Sequence, residues 1–234
     1  MKINRNQLKY ILIIAMLIDH ITWAFIPTRS VAGQCLHFIG RLTGPGMALL
    51  LAEGYQYTRN KAKYVLRLFI FAMISWVPYC LNSYGEWPYL GMDMFGMIWT
   101  LFIAFLTLWM WDKLKVYKAI KVILVIFACI LSLLGDWPIF AVLWALYAYI
   151  YRDEPKKKWT AFAIVAVSEV LLAMLFAGSV SAAFFQTGVI MVPFLFAFCY
   201  NREPGSRAAF HKWFFYVFYP LHIMIIYLIK MAVR

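Results

Sequence analysis

LKYILIIAMLIDHITWAFIP, residues 8–27, decides the fold. At 1.5 Å of rise per residue a helix of this length spans about 30 Å, the thickness of a hydrocarbon core. Lys2, Arg5 and Lys9 stand at its entrance, as they would in a secretory signal. No small-residue cleavage site follows, however, and the run carries Asp19 and His20 near its middle. It is therefore read as a retained first membrane helix.

Outward from this run the same texture repeats. Apolar stretches lie at about 33–57, 63–83, 92–111, 119–135, 137–151, 159–178, 180–200 and 212–231, which predicts nine spans. Of the 234 residues, 65% are hydrophobic and 14% charged, and the mean hydropathy is +0.77. A soluble domain is about half apolar and a quarter charged, so lipid is the expected solvent. The fold class is an all-α polytopic helical bundle, a single domain over 1–234, with no polar stretch long enough for a separate soluble unit. The fifth and sixth runs are short and meet at Gly135-Asp136-Trp137-Pro138, a tight turn; the pair could also be partly re-entrant. Gly44-Pro45-Gly46 inside the second run predicts a kink, because proline removes a backbone donor.

Lysine and arginine fix the orientation. From a cytoplasmic N-terminus, alternate loops hold three (Lys2, Arg5, Lys9), four (Arg59, Lys61, Lys63, Arg67), four (Lys113, Lys115, Lys118, Lys121), four (Arg152, Lys156, Lys157, Lys158) and three (Arg202, Arg207, Lys212), eighteen in all. The other side has Arg29, Lys230 and Arg234, and Arg41 lies within the membrane. An odd number of spans with an extracytoplasmic C-terminus follows. The outer loops carry Glu86, Asp93 and Asp136, with Trp87, Tyr89 and Trp137 as an interfacial aromatic belt. The implied location is the cytoplasmic membrane of a bacterium, as a multi-pass protein with the bilayer as its first partner.

The net charge of +12 does not indicate nucleic acid, because the cations are dispersed over short loops rather than gathered on one face. Cys35, Cys80, Cys129 and Cys199 are widely spaced, with no CxxC and no Cys/His cluster, so neither a disulfide framework nor a metal site is indicated. No internal repeat suggests the inverted halves of a secondary transporter.

A charge at mid-bilayer costs about 2.5–3.5 kcal/mol on insertion scales, so each one needs a reason. Asp19 and His20 lie in the first run, His37, Arg41 and Glu53 in the second, Glu169 in the seventh and His222 in the ninth. His20 and Arg41 fall at comparable depth and could share one cavity. His37 and Arg41, four apart, share a helix face. The plain alternative is an Asp19–Arg41 pair locking two helices. Glu53 could equally pair with Arg59 or Arg67, His37 could be solvated, and Glu169 could be a packing residue. Imidazole titrates near neutrality and is the usual general base, which favours a functional reading of His20. His222 follows Pro220, where the helix backbone loses a bond and a pocket wall can form.

At these residues the chain resembles the TraX family, named for the F-pilin acetylase. The resemblance is carried by Ile18-Asp19-His20, Ile39-Gly40-Arg41 with Pro45, Glu53-Gly54-Tyr55 with Thr58-Arg59, Tyr64 to Leu68, Ser75 with Pro78, and Phe218-Tyr219-Pro220-Leu221-His222. These pieces run the length of the chain in the family's order, and the central runs, four to seven, depart more from the pattern. The family is related to membrane acyltransferases that move acetyl groups from cytoplasmic acetyl-CoA to extracytoplasmic acceptors with a membrane-embedded histidine. The resemblance thus implies an acetyltransferase with acetyl-CoA as donor and no metal. The acceptor would be an amine or hydroxyl of a pilin-like protein or a cell-envelope glycan.

On that reading His20 is the base, Asp19 orients it or stabilises its charge, and Arg41 stabilises the thioester carbonyl or positions the ligand. His37, Glu53, Arg59, Arg67, Arg202 and His222 are candidate substrate- or cofactor-binding positions, the arginines attracting the phosphates of coenzyme A. The rival reading is a proton-coupled small-solute transporter built on the same intramembrane groups. A non-catalytic scaffold is the third. Homo-oligomerisation is left open by the sequence.

Overall fold

The computed structural model describes residues 2–88, 95–206 and 208–233. Tyr89, Asp93, Arg207 and Arg234, which entered the belt and charge readings, lie outside the described residues. The elements in order are α1 (Arg5–Phe25), α2 (Val31–Gly40), α3 (Thr43–Tyr57), α4 (Lys61–Tyr84), α5 (Met97–Lys113), α6 (Lys118–Ser132), α7 (Phe140–Ile150), α8 (Pro155–Ala177), α9 (Met191–Phe194) and α10 (Ala209–Val233). The architecture is all-helical among the described residues.

Among the described residues, five segments are long and apolar enough to cross a membrane: Arg5–Phe25, Val31–Tyr57 (α2 running into α3), Lys61–Tyr84, Pro155–Ala177 and Ala209–Val233. The other expected spans are realised as shorter pieces. α5, α6 and α7 have 17, 15 and 11 residues. The run expected at 180–200 is not one α-helix: a 3₁₀ segment (Phe184–Ile190) leads through α9 into a π turn (Leu195–Cys199). Pro193 has no N–H to continue a ladder, and Gly188 lies so close to the Phe38 carbonyl that a side chain would not fit.

Local chemistry sets the ends. Asn4 and Gln7 cap α1 reciprocally, Asn4 Oδ1 accepting from the Gln7 N–H at 3.1 Å and Gln7 Oε1 from the Asn4 N–H at 2.9 Å. Gly85 ends α4 in the left-handed region at φ 75°, which costs glycine little. The kink expected at Gly44-Pro45-Gly46 falls just before it. Pro45 cannot donate to the Arg41 carbonyl, and a tighter bond, Leu42 N–H to the Ile39 carbonyl at 3.2 Å, separates α2 from α3.

α3 is apolar on nearly every side and is the centre of the bundle, packed on α7, α5 and α1. Gly44 lies against the Trp137 ring and Gly46 against Leu12, the close approach small residues allow between membrane helices. α10 packs on α4 and α1, which brings the first and last helices side by side. Ile14, Ile21, Phe127, Ile164, Leu171 and Leu175 are exposed around the outside. This is an apolar perimeter suited to acyl chains rather than water.

Candidate functional site

Two polar constellations occupy the region where α1, α2 and α10 meet. In the first, Asp19 is 6% exposed and accepts two bonds. Arg41 donates to Oδ2 at 2.5 Å and His37 Nδ1 donates to Oδ1 at 2.8 Å. Arg41 also reaches Gln186 Oε1 at 3.4 Å, and its guanidinium stacks between Trp137, at 4.7 Å, and Phe185, at 5.3 Å. The carboxylate fits because residue 40 is glycine: any Cβ there would collide with the Asp19 side chain.

In the second, His20 bonds to His222 and not to Asp19. Its Nδ1 lies 2.7 Å from His222 Nε2, and His222 Nδ1 donates to the Phe218 carbonyl at 2.7 Å. The structure therefore pairs Asp19 with His37 and Arg41, and His20 with His222. His37 is fully buried against Trp23 and Phe185, not solvated.

These groups stand between two cavities, each of about 330 Å³. The first opens at the lysine- and arginine-rich face, where Arg5, Lys9, Arg67 and Lys212 line it with Tyr64 and Tyr216; it ends at Met16, Met97 and Tyr219. Among the described residues, Lys9, Arg67 and Lys212 form no ion pair. The second opens at the opposite face and is lined by Asp19, His20, Arg41, Tyr79, Asn82, Asp136 and Lys230. Met16 and His20 are one turn apart on α1, and Tyr219 and Ile223 one turn apart on α10, with one member of each pair in each cavity. The two cavities thus approach within about one helical pitch, roughly 5 Å. Tyr219 is the partition: its hydroxyl accepts from the Met97 N–H at 2.8 Å, and its ring stands edge-on to His20 and His222.

The turn between α6 and α7 closes the second cavity. Trp137 and Ile139 both have positive φ, 57° and 63°, which costs a non-glycine residue about 1 kcal/mol or more. The strain is held by Asp136 Oδ1 accepting from the Trp137 N–H at 2.9 Å and by Ser132 Oγ accepting from the Ile139 N–H at 2.8 Å. It lays Trp137 under Arg41 and turns Asp136 into the cavity. Burial raises the Asp136 carboxyl to about 6, against the opposing pull of Arg41.

The remaining sequence candidates are distributed more widely. Arg67 lines the basic-face cavity and Arg59 is exposed outside it. Arg202 lines a neighbouring pocket with Arg152 and Lys158. Glu53 pairs with neither Arg59 nor Arg67; it accepts from Arg5 at 2.5 Å and from the Tyr200 hydroxyl at 2.8 Å. Glu169 is buried, with Oε2 lacking a partner among the described residues. Sequence reasoning singled out neither Lys9 nor Tyr219 as a site residue. A lysine one turn inside an apolar run was the available signal for the first.

Fold and site together define a helical membrane protein with a histidine pair between two opposed cavities. The family model described as "TraX protein" matches residues 4–230. The chain is also similar to the "Probable fimbrial assembly protein FimC, serogroup H1" of Dichelobacter nodosus, 32% identical over 237 aligned positions that cover 97% of this chain and 96% of the relative. The chain belongs to the TraX family. No solved structure matches it.

Proposed function

We propose that the protein is a bacterial inner-membrane acetyltransferase with nine spans, a cytoplasmic N-terminus and an extracytoplasmic C-terminus. It would take acetyl from acetyl-CoA at the basic face and deliver it to an acceptor entering from the other side. The observation that carries this reading is a pair of cavities of opposite access, about one helical pitch apart across Tyr219, with His20 on the wall of the second and bonded to His222. A transfer across the bilayer needs donor and acceptor to approach from opposite sides, and this layout brings the two approaches within about one helical turn of each other with Tyr219 between them.

The basic-face cavity suits an anionic thioester. Lys9, Arg67 and Lys212 offer positive charge without carboxylate competition, and the aromatic and methionine walls suit an uncharged arm reaching toward Tyr219. His20 Nε2 takes the proton of the acceptor amine or hydroxyl as its nitrogen or oxygen bonds to the thioester carbon. The C–S bond then breaks, and the departing thiolate recovers a proton as the free thiol. Arg41 lines the same cavity as His20, and its guanidinium is the nearby group suited to the developing oxyanion. Asp19 and His37 hold that guanidinium. The similarity to a fimbrial assembly protein suggests a pilin-like subunit as acceptor.

Inverted membrane vesicles given labelled acetyl-CoA should pass the label to an envelope acceptor. His20→Ala should lower that transfer about 10²–10⁴-fold, the contribution of a positioned general base. Near wild-type transfer by His20→Ala would sink the assignment. Two cavities with a thin partition are also a transporter's layout, so solute uptake into proteoliposomes without any acetyl transfer would favour that rival.

A further inference from the structure

We infer that His222 is a positioning residue: it holds His20 in the Nδ1–H tautomer, leaving the Nε2 lone pair for the cavity opposite the basic face. The two ring centroids are 5.0 Å apart with their planes 10° from parallel, and the nitrogens are 2.7 Å apart. That combination puts the rings nearly in one plane, nitrogen to nitrogen, as a straight N–H···N bond requires.

The proton count follows from the last acceptor in the chain. The Phe218 carbonyl can only accept, so the proton on a neutral His222 sits on Nδ1. His222 Nε2 then offers a lone pair, and the bond to it must be donated by His20 Nδ1. A neutral His20 has one ring proton, so its Nε2 is bare. This nitrogen has no protein partner among the described residues, and the ring lines the cavity. An unrestrained histidine prefers the opposite tautomer, which would aim an N–H rather than a base at the acceptor.

The consequence for turnover rests on the acetyl-transfer reading. As His20 takes a proton on Nε2, its Nδ1–H bond to His222 becomes charge-assisted and steadies the imidazolium. A carboxylate does this in a Ser-His-Asp triad. Here a neutral ring anchored to a backbone carbonyl would do it, while the neighbouring carboxylate, Asp19, is committed to Arg41 and His37.

The full chain labelled with ¹⁵N-histidine, in lipid nanodiscs at a pH where the rings are neutral, gives a direct test. There are four histidines, and His20→Gln identifies the His20 signals by their loss. The expected wild-type spectrum has His20 protonated at Nδ1 and bare at Nε2. His222→Phe should shift His20 to the Nε2–H form, while His222→Gln, whose side-chain oxygen can accept the same bond, should keep it at Nδ1–H. A wild-type His20 protonated at Nε2 overturns the inference, even if His222→Phe fails to fold. Persistence of Nδ1–H in a folded His222→Phe also overturns it. In turnover, His222→Phe should lower the acetyl-transfer rate about 10–100-fold, as loss of an orienting partner does, with KM for acetyl-CoA little changed and His222→Gln restoring most of it. The spectrum needs no turnover. A protein that never transfers acetyl would therefore remove the proposed function and leave the tautomer assignment to stand or fall separately.

Discussion

Arg41 shows how much a single buried side chain is asked to do: it neutralises Asp19, reaches Gln186 and fills the slot between Trp137 and Phe185. Only a planar fork does all three, so Arg41→Lys keeps the charge but gives up the second bond and the stacking. It should lower stability by about 1–3 kcal/mol, read as the melting temperature in detergent, and depress transfer as well. An unchanged melting temperature would show that the stack and the Gln186 contact contribute nothing. Asp136 makes the opposite kind of prediction. Its folded-state pKa, about 6, lies above the unfolded carboxylate value, so the ionised form is disfavoured in the fold. The stability it contributes is complete below about pH 4 and is lost as pH rises through 6. Asp136→Asn should therefore raise the melting temperature at pH 8 and leave it unchanged at pH 4. The gain should be about 1 kcal/mol, since the residue borders a cavity rather than dry core. A pH-independent effect would count against an unpaired, ionising Asp136. The depth of Asp19 and Arg41, and the face that His37 shares with Arg41, can be read from one sequence because these follow from helix rise and the i,i+4 rule; the full burial of His37 cannot. The bond between His20 and His222 cannot, because they are 202 residues apart and meet only through how α1 and α10 rotate against each other. The pairing of Glu53 with Arg5, 48 residues apart, is hidden for the same kind of reason.

Among the elements, the ones sequence patterning located well are those whose apolar run exceeds the thickness of a bilayer core. α1, α4, α8 and α10 fall within a few residues of the expected spans, because lipid demands an unbroken backbone ladder of that length. Hydropathy alone predicts one more helix over 180–200. Hydropathy does not weigh Pro193, or the close contact of Gly188 with the Phe38 carbonyl, which bend it into 3₁₀ and π turns. Gly40 tests the same close-packing logic from the other direction. A methyl group there would collide with the Asp19 carboxylate, so Gly40→Ala must push α1 and α2 apart or break the Asp19–Arg41 pair. The cost should be about 3–5 kcal/mol, the range for disrupting a buried ion pair, seen as a large fall in folded yield and melting temperature. Gly54→Ala on α3 is the control. Its added methyl would make only ordinary contact with Tyr64, so it should be tolerated. Equal tolerance of both would mean that α1 and α2 are not held as closely as the structure has them.

For the molecule as a whole, the question is which face meets the cytoplasm, since the direction of the proposed transfer depends on it. The positive-inside rule assigns the basic face to the cytoplasm, and the two exposed native cysteines fall at opposite ends of the bundle. Cys35 lies on α2, the helix that leads from Ser30 toward Arg41, and Cys199 closes the π turn beside the paired Ile3 and Tyr200. A maleimide that cannot cross membranes should therefore modify Cys35 from outside intact spheroplasts and reach Cys199 only after permeabilisation; Cys80, which is buried, serves as the unreactive reference in both. Reporter fusions at Lys61, Lys115, Lys157 and the C-terminus should agree, the first three inside and the last outside. Labelling of Cys199 from outside would invert the molecule and put the proposed donor cavity on the wrong side of the bilayer. A cytoplasmic C-terminus with Cys35 still outside would be a different failure. It would mean that an even number of segments cross, and the short pair α6 and α7 would be the place where the chain turns back without spanning.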